Sequence, residues 1–321
     1  MAALDHAAII ALVTPRINTL PQTAEPGSLV LDHVAHFVPD LEAAGRALEA
    51  LGFAVTPYSE QSTQNGPAGT ANRCVMLGEG YLEFLSPIAD TPHARRTREA
   101  MARYQGVHLL ALGTPSAAEE HARLERHGFA PLPQVDLERD VELEGETRRA
   151  RFGVVRVPPE TMPEGRVQFV EQRTPECLWQ PRWMAHANGV TALAGAFVVA
   201  DDPAEVAARY ARFAGLLPSP EGAFVRLSTS RGDIVIGRQR DLAELLGAAP
   251  PAPALAGYAL ACADPDALAA RCRAAGASVR RDGEFYAAVL PSELGGTWLF
   301  GNAEKIKSGG GFGVEGREIM G

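Results

Sequence analysis

Hydrophobic positions along the chain recur in one design. Residues 31 to 53, LDHVAHFVPDLEAAGRALEALGF, read as an alternating strand, a Pro-Asp helix start and an amphipathic helix closed by Gly52. Residues 107 to 129, VHLLALGTPSAAEEHARLERHGF, repeat the design, and superposing the histidines of the two copies takes a one-residue insertion. Two further copies run from Ala194 to Leu216 and from Ala256 to Val279, each with an apolar run, an Asp-Pro or Pro-Asp helix entry and a glycine after the helix. Behind every helix stand short strand-like runs separated by Gly, Asn, Asp or Pro, such as RCVML before YLEFL and FVRLS before DIVIG.

A lone unit of strand, helix and strands leaves one sheet face uncovered, so units are expected to pair and close a curved sheet around a shared interior. The predicted fold is α+β, with four βαβββ modules pairing into two curved-sheet half-barrels. The expected boundaries are an N-terminal extension over 1–28, a first domain over 29–173, a join rich in Trp, Pro and His over 174–190, a second domain over 191–303 and a Gly-rich mobile tail over 304–321. Whether modules pair within one chain or between the two chains of a homodimer stays open.

Composition narrows the function. With 46% hydrophobic and 21% charged residues among 321, the chain is neither disordered, collagenous nor coiled-coil. A formal charge of -9 argues against nucleic acid and anionic membrane as partners, which leaves a small-molecule substrate. Both lysines, Lys305 and Lys307, lie in the tail, which disfavours Schiff-base chemistry and a P-loop. The cysteines, Cys74, Cys177, Cys262 and Cys272, form no CxxC and are expected to pack as small hydrophobes. The first apolar run follows Asp5 and His6 instead of a basic stretch, and no long uninterrupted apolar stretch occurs, so a cytoplasmic protein is expected.

The candidate chemistry comes from the repeat. Laid over each other by their ends, YLEFLSP (81–87) and FVEQRTP (169–175) match Glu83 with Glu171, and LDHVAHFV over GVHLLALG matches His33 with His108. Alternate strand residues share a face, so pairing two modules would bring His33, Glu83, His108 and Glu171 into one cavity, an N2O2 set suited to a divalent ion. Gln172 follows Glu171, so a register slip of one residue would exchange which of them faces inward. His36, three residues beyond His33, is expected on the opposite, helix-packed side.

These modules, with His on the first strand and Glu on the last, resemble the vicinal oxygen chelate superfamily of glyoxalase I, extradiol dioxygenases and fosfomycin-resistance proteins. More closely, the chain resembles bacterial glyoxalase-like domain proteins. The resemblance rests on Gly69-Thr70-Ala71-Asn72 before Tyr81-Leu82-Glu83, and on Thr174, Pro175, Glu176, Trp179, Pro181, Trp183, His186, Asn188 and Gly189. It implies one bound divalent metal, Ni, Zn, Co, Mn or Fe(II), that chelates two neighbouring substrate oxygens. The third and fourth modules carry GDIVIG and GTWLFG where a Glu would stand, so the C-terminal half is expected to lack a metal set.

Three functions follow as expectations. The first is a metal-dependent isomerase or lyase of glyoxalase type with Glu171 or Glu83 as base. The second is an extradiol-type Fe(II) dioxygenase using His33, His108 and one glutamate. The third is a non-catalytic small-molecule binding protein using the cavity without metal. Thr70, Asn72, Arg73, His186 and Asn188 are the candidate substrate contacts, Arg73 as a guanidinium for an anionic substrate and His186 with Asn188 as an imidazole and amide side by side at the join.

Overall fold

The computed structural model describes residues 22–302; the Gly-rich tail predicted from residue 304 lies outside the described residues. The first module comprises β1 (Val30–Phe37), α1 (Leu41–Ala50), β2 (Ser59–Thr63), β3 (Gly66–Met76) and β4 (Tyr81–Pro87). Helix α2 (Pro92–Met101) leads to the second module, β5 (Gly106–Gly113), α3 (Ala117–Arg126), β6 (Val135–Leu143), β7 (Glu146–Arg156) and β8 (Arg166–Gln172). Two short helices, α4 (Pro175–Leu178) and α5 (Pro181–Met184), form the join. The third module is β9 (Val190–Val199), α6 (Pro203–Ala214), β10 (Pro218–Glu221), β11 (Phe224–Ser228) and β12 (Asp233–Gly237). After α7 (Gln239–Leu246) comes the fourth, β13 (Ala254–Cys262), α8 (Pro265–Ala274), β14 (Ser278–Asp282), β15 (Phe285–Val289) and β16 (Thr297–Gly301).

The helix entries seen in the sequence are N-caps. Asp40 accepts from the backbone N–H groups of Glu42 and Ala43, Ser116 from Glu119, Asp202 from Ala204 and Glu205, and Asp264 from Ala267. Each satisfies amides that the first helical turn leaves without partners.

The two module pairs close differently. The first makes a closed barrel in the order β1-β4-β3-β2-β6-β7-β8-β5, sealed by antiparallel pairing of β1 with β5 and of β2 with β6. The second is an open eight-stranded sheet in the order β10-β11-β12-β9-β13-β16-β15-β14. Its edge strand β10 carries Pro218 and Pro220, which have no N–H to offer a further strand. Its concave face is filled by Phe197, Val235, Phe285 and Leu299 against Leu242, Leu245 and Leu246 of α7.

The outer faces of both central strand pairs share one core, with Val34, Leu110, Ala196, Val198 and Tyr258 fully or almost fully buried. His36 lies in this seam, its Nε2 3.0 Å from the Tyr258 hydroxyl and its Nδ1 2.9 Å from the Leu294 carbonyl. Its ring stacks on Phe84 at 4.7 Å, so it is structural, as its place opposite His33 on β1 predicts. Burial pushes its pKa down to about 4, against the Leu294 hydrogen bond and with a small contribution from His108.

Candidate functional site

Strand alternation decides what faces the barrel interior. His33, Ala35 and Phe37 of β1, Tyr81, Glu83 and Leu85 of β4, Asn72 and Cys74 of β3, Arg139 of β6, Val154 and Arg156 of β7, and Gln168 and Val170 of β8 all point inward. The join closes one end, where Leu178 and Trp179 enter the barrel core and Trp179 meets Tyr81 edge-on at 5.9 Å.

A bonded polar network crosses this interior. His33 donates from Nδ1 to Asp32 Oδ1 at 2.6 Å, and Gln172 Nε2 donates to both oxygens of Asp32 at 3.0 and 3.2 Å. With Nδ1 engaged by Asp32, Nε2 is the ring nitrogen that faces the cavity. It lies 3.9 Å from Glu83 Oε2, beyond hydrogen-bond distance. Glu83 Oε1 accepts from Asn72 at 2.5 Å and Gln61 at 3.1 Å, while Asn72 Oδ1 accepts from Arg139 at 2.9 Å. His33 is 4% exposed and Glu83 6%, so their geometry is held by packing as well as bonding. Burial pushes the neighbouring Cys74 thiol up to about 11, which makes it a poor nucleophile.

His108 and Glu171 do not join His33 and Glu83. The structural repeat runs without the insertion: N-cap Asp40 lies over N-cap Ser116, and Gly52 over Gly128. In that frame Leu109 occupies the place of His33, and His108 that of Asp32, each at a register shift between β1 and β5. Likewise Glu83 pairs with Ala35 and Gln168 with Ala111, so Gln168 occupies the second module's inward position. Glu171 therefore faces outward, accepting from the Ala117 amide at the start of α3 and from Arg173. His108 sits at the other end of the barrel, stacked on Tyr104 at 4.2 Å and bonded through Nε2 to the Tyr104 carbonyl.

The predicted substrate contacts divide. Asn72 holds Glu83, and Thr70 donates to Gln61 Oε1 at 2.7 Å, placing both in the network. Gly69, with φ of +77°, lets β3 pass Thr91, whose hydroxyl a Cβ at this position would strike. Arg73 lies on the outer surface, paired with Glu42 at 2.5 Å. His186 accepts from the Ala54 amide and donates to the Met76 carbonyl, and Asn188 donates to the Leu51 carbonyl. His186 and Asn188 brace the join against the first module and Arg73 ties β3 to α1, so none of the three lines the cavity.

Sequence reasoning missed Asp32, Gln61, His93, Arg139, Arg156 and Arg166. The signal for Arg139 and Arg156 lay in strand alternation, since each holds an inward position among apolar neighbours. Arg166 and Arg156 approach the two ring nitrogens of His93 at 3.3 Å each, and Arg166 also donates to Thr97. Burial and the nearby Arg156 push Arg166 down to about 9, and burial with Arg96 pushes Arg156 down to about 10.

Residues 31–214 match the model of the family described as a glyoxalase-like domain. The chain belongs to that family. The glyoxalase-like fold extends over both module pairs. A hypothetical protein from Staphylococcus aureus superposes with a TM-score of 0.60 at 11% identity, over 85% of this chain and 99% of that one. A Mn(II)-bound glyoxalase from Novosphingobium aromaticivorans gives 0.50 at 12%, over 85% and 82%. A fusion of a xylose isomerase-like TIM barrel with 4-hydroxyphenylpyruvate dioxygenase gives 0.51 at 13%, over 92% and 51%. No curated protein matches. At these identities the likeness establishes the fold alone. Among the described residues no helix is long and apolar enough to cross a membrane.

A divalent ion would need more than this glyoxalase-like barrel offers. Of the expected set only His33 and Glu83 meet, and among the described residues no three His, Cys, Asp or Glu side chains converge. Three guanidinium groups, Arg139, Arg156 and Arg166, line the same cavity against the carboxylate of Glu83 and that of Asp32 behind His33. That field repels a cation and attracts an anion. The donor set does not fit the four-ligand centre expected from the sequence.

Proposed function

We propose that the N-terminal barrel is the reaction chamber of a small-molecule enzyme that transfers a proton at a carbon next to a carbonyl, with His33 and Glu83 as the proton-handling pair. The observation that carries this is the placement of His33 Nε2 and Glu83 Oε2 across 3.9 Å of one buried cavity, with the far side of each fixed by Asp32, Asn72 and Gln61. A C–H bond placed against this pair breaks, its proton passes to His33 Nε2, and its electron pair moves onto the carbonyl oxygen as an enolate. The cationic wall of Arg139, Arg156 and Arg166 opposes that developing negative charge without first reorganising water. With a hydroxyl on the carbon that lost its proton, return of the proton from His33 to the former carbonyl carbon and passage of the hydroxyl proton to the former carbonyl oxygen through Glu83, beside His33, complete an isomerisation.

The test is deuterium incorporation in D2O at the carbon next to the carbonyl, C2 of 2-hydroxy acids and C3 of 2-oxo acids, followed by proton NMR. Exchange by the parent, reduced roughly 100-fold or more in His33→Gln and Glu83→Gln, is the expected result. Exchange untouched by both substitutions, or seen with none of the acids, would overturn the proposal. Exchange that appears only on adding a divalent ion and vanishes with chelator would replace it with a metal-chelate mechanism.

A further inference from the structure

Beyond His108 the barrel opens into a cavity of about 230 Å³ on the side away from the join. Its walls are Phe37, Leu132, Val157 and several prolines, and its polar lining is Arg96, Arg103, Arg156, Arg166 and His108 with one carboxylate, Glu99. Arg156 and Arg166 also line the His33–Glu83 cavity, so the two spaces share a guanidinium wall.

Hydrogen-bond accounting in that wall does not close. Burial, then Arg166, Arg156 and Arg96, hold His93 down at about 2, so its ring is neutral and has one acceptor nitrogen. Two guanidinium nitrogens approach it from opposite sides, so one of them meets an N–H instead of a lone pair. Thr97 offers Arg166 one further oxygen, and the buried Nε of Arg156 has no acceptor. Neither arginine forms an ion pair among the described residues. A surplus of buried donors and positive charge is costly unless an acceptor with negative charge completes it.

His108 adds the opposite requirement. It is 1% exposed, its Nε2–H is spent on the Tyr104 carbonyl, and its Nδ1 is a buried acceptor with no donor. An apolar-walled space with surplus guanidinium donors and one acceptor nitrogen matches a particular ligand chemistry. We infer that this cavity seats an organic oxyanion carrying a hydroxyl, its anionic head held by Arg156 and Arg166, its hydroxyl donating to His108 Nδ1, and its apolar body against Phe37, Leu132 and Val157.

The seat names a substrate class for the neighbouring proton-transfer centre and rests on that proposal for its purpose, but binding is measured without turnover. Loss of one result therefore leaves the other standing. The probes are phenyllactate, its neutral amide phenyllactamide, the deoxy analogue hydrocinnamate, and phenyl phosphate, titrated calorimetrically into the full chain. Phenyllactate is expected to bind roughly tenfold or more tighter than phenyllactamide and several-fold tighter than hydrocinnamate. Stronger binding of phenyl phosphate would assign the head group as phosphate, and weaker binding as carboxylate; either supports an oxyanion seat. In Arg166→Gln and Arg156→Gln the preference for acid over amide is expected to disappear, with Arg166→Lys retaining part of it. Equal binding of acid and amide by the parent overturns the inference, and this comparison needs no variant to fold. So does failure of every anion to bind at millimolar concentration, or an acid preference unchanged in a folded Arg156→Gln/Arg166→Gln double variant.

Discussion

The N-terminal barrel and the C-terminal sheet are built from the same module yet enclose opposite interiors. In the barrel, β2 pairs with β6 and the closed wall surrounds polar side chains. In the C-terminal sheet, proline-bearing β10 stays at an edge, and α7 lays three leucines into the concave face. The position of Glu83, opposite Ala35, is taken by Val235 opposite Phe197 and by Leu299 opposite Ala259. Closure creates a chamber whose polar groups must satisfy one another, whereas a plugged cup needs only apolar packing. The proposed chemistry uses the half that left its interior unfilled.

Making the barrel resemble the cup is the severest test. Glu83→Val introduces the residue of the third module and leaves Asn72 and Gln61 without their acceptor. α-Proton exchange is expected to fall roughly 100-fold or more, with about 1–3 kcal/mol lost in chemical denaturation. Retained exchange would detach the chemistry from this interior. Leu242→Ala in the plug should cost about 3 kcal/mol in the same denaturation experiment while leaving the exchange rate of the folded protein within about twofold. A matching fall in exchange would show that the halves are coupled in function.

The seam between the halves responds to pH. His36 is fully buried, and its folded pKa of about 4 lies below the ordinary value of 6.5. The unfolded chain therefore takes up a proton first as pH falls. Stability from this residue is intact above about 6.5 and declines as pH drops toward about 4, by about 3 kcal/mol as an upper figure. Thermal melts across that window should show the decline, with a shallower slope in His36→Gln; an unchanged slope would place the effect elsewhere. The smallest effect belongs to Glu171→Gln, which trims a half-exposed contact to the first turn of α3. It is expected to cost under about 1 kcal/mol by the same melts, since helix-terminus charges contribute little at the surface.

Much of this was legible in the chain. The four modules and their capped helices follow from periodicity and from Asp40, Asp202 and Asp264, and GDIVIG and GTWLFG mark the places in the C-terminal half where no Glu stands. His33, Glu83 and Asn72 were legible too, because YLE and GTAN fall on strands whose inward faces are defined by apolar neighbours. The second half of the site was not. Matching like residues placed His108 beneath His33 and Glu171 beneath Glu83, whereas the helix caps and Gly128 set a register in which Leu109 and Gln168 take those positions. A shift of one residue reverses every side chain of a strand, so identity matching misleads where a bulge intervenes. The arginine wall escaped because β8 and β7 contribute Arg166 and Arg156 from strand ends, where a charged residue reads as solvated.

The central claim is that His33 and Glu83 act together in the barrel while His108 and Glu171 stand outside their site. The most direct measurement is the rate of α-proton exchange in D2O for the parent, Glu83→Gln and Glu171→Gln, each with chelator present. Near-parental exchange in Glu171→Gln beside a loss of roughly 100-fold in Glu83→Gln is the predicted result. Equal loss in both variants, or exchange by the parent that chelator abolishes, would contradict it and restore the four-ligand centre.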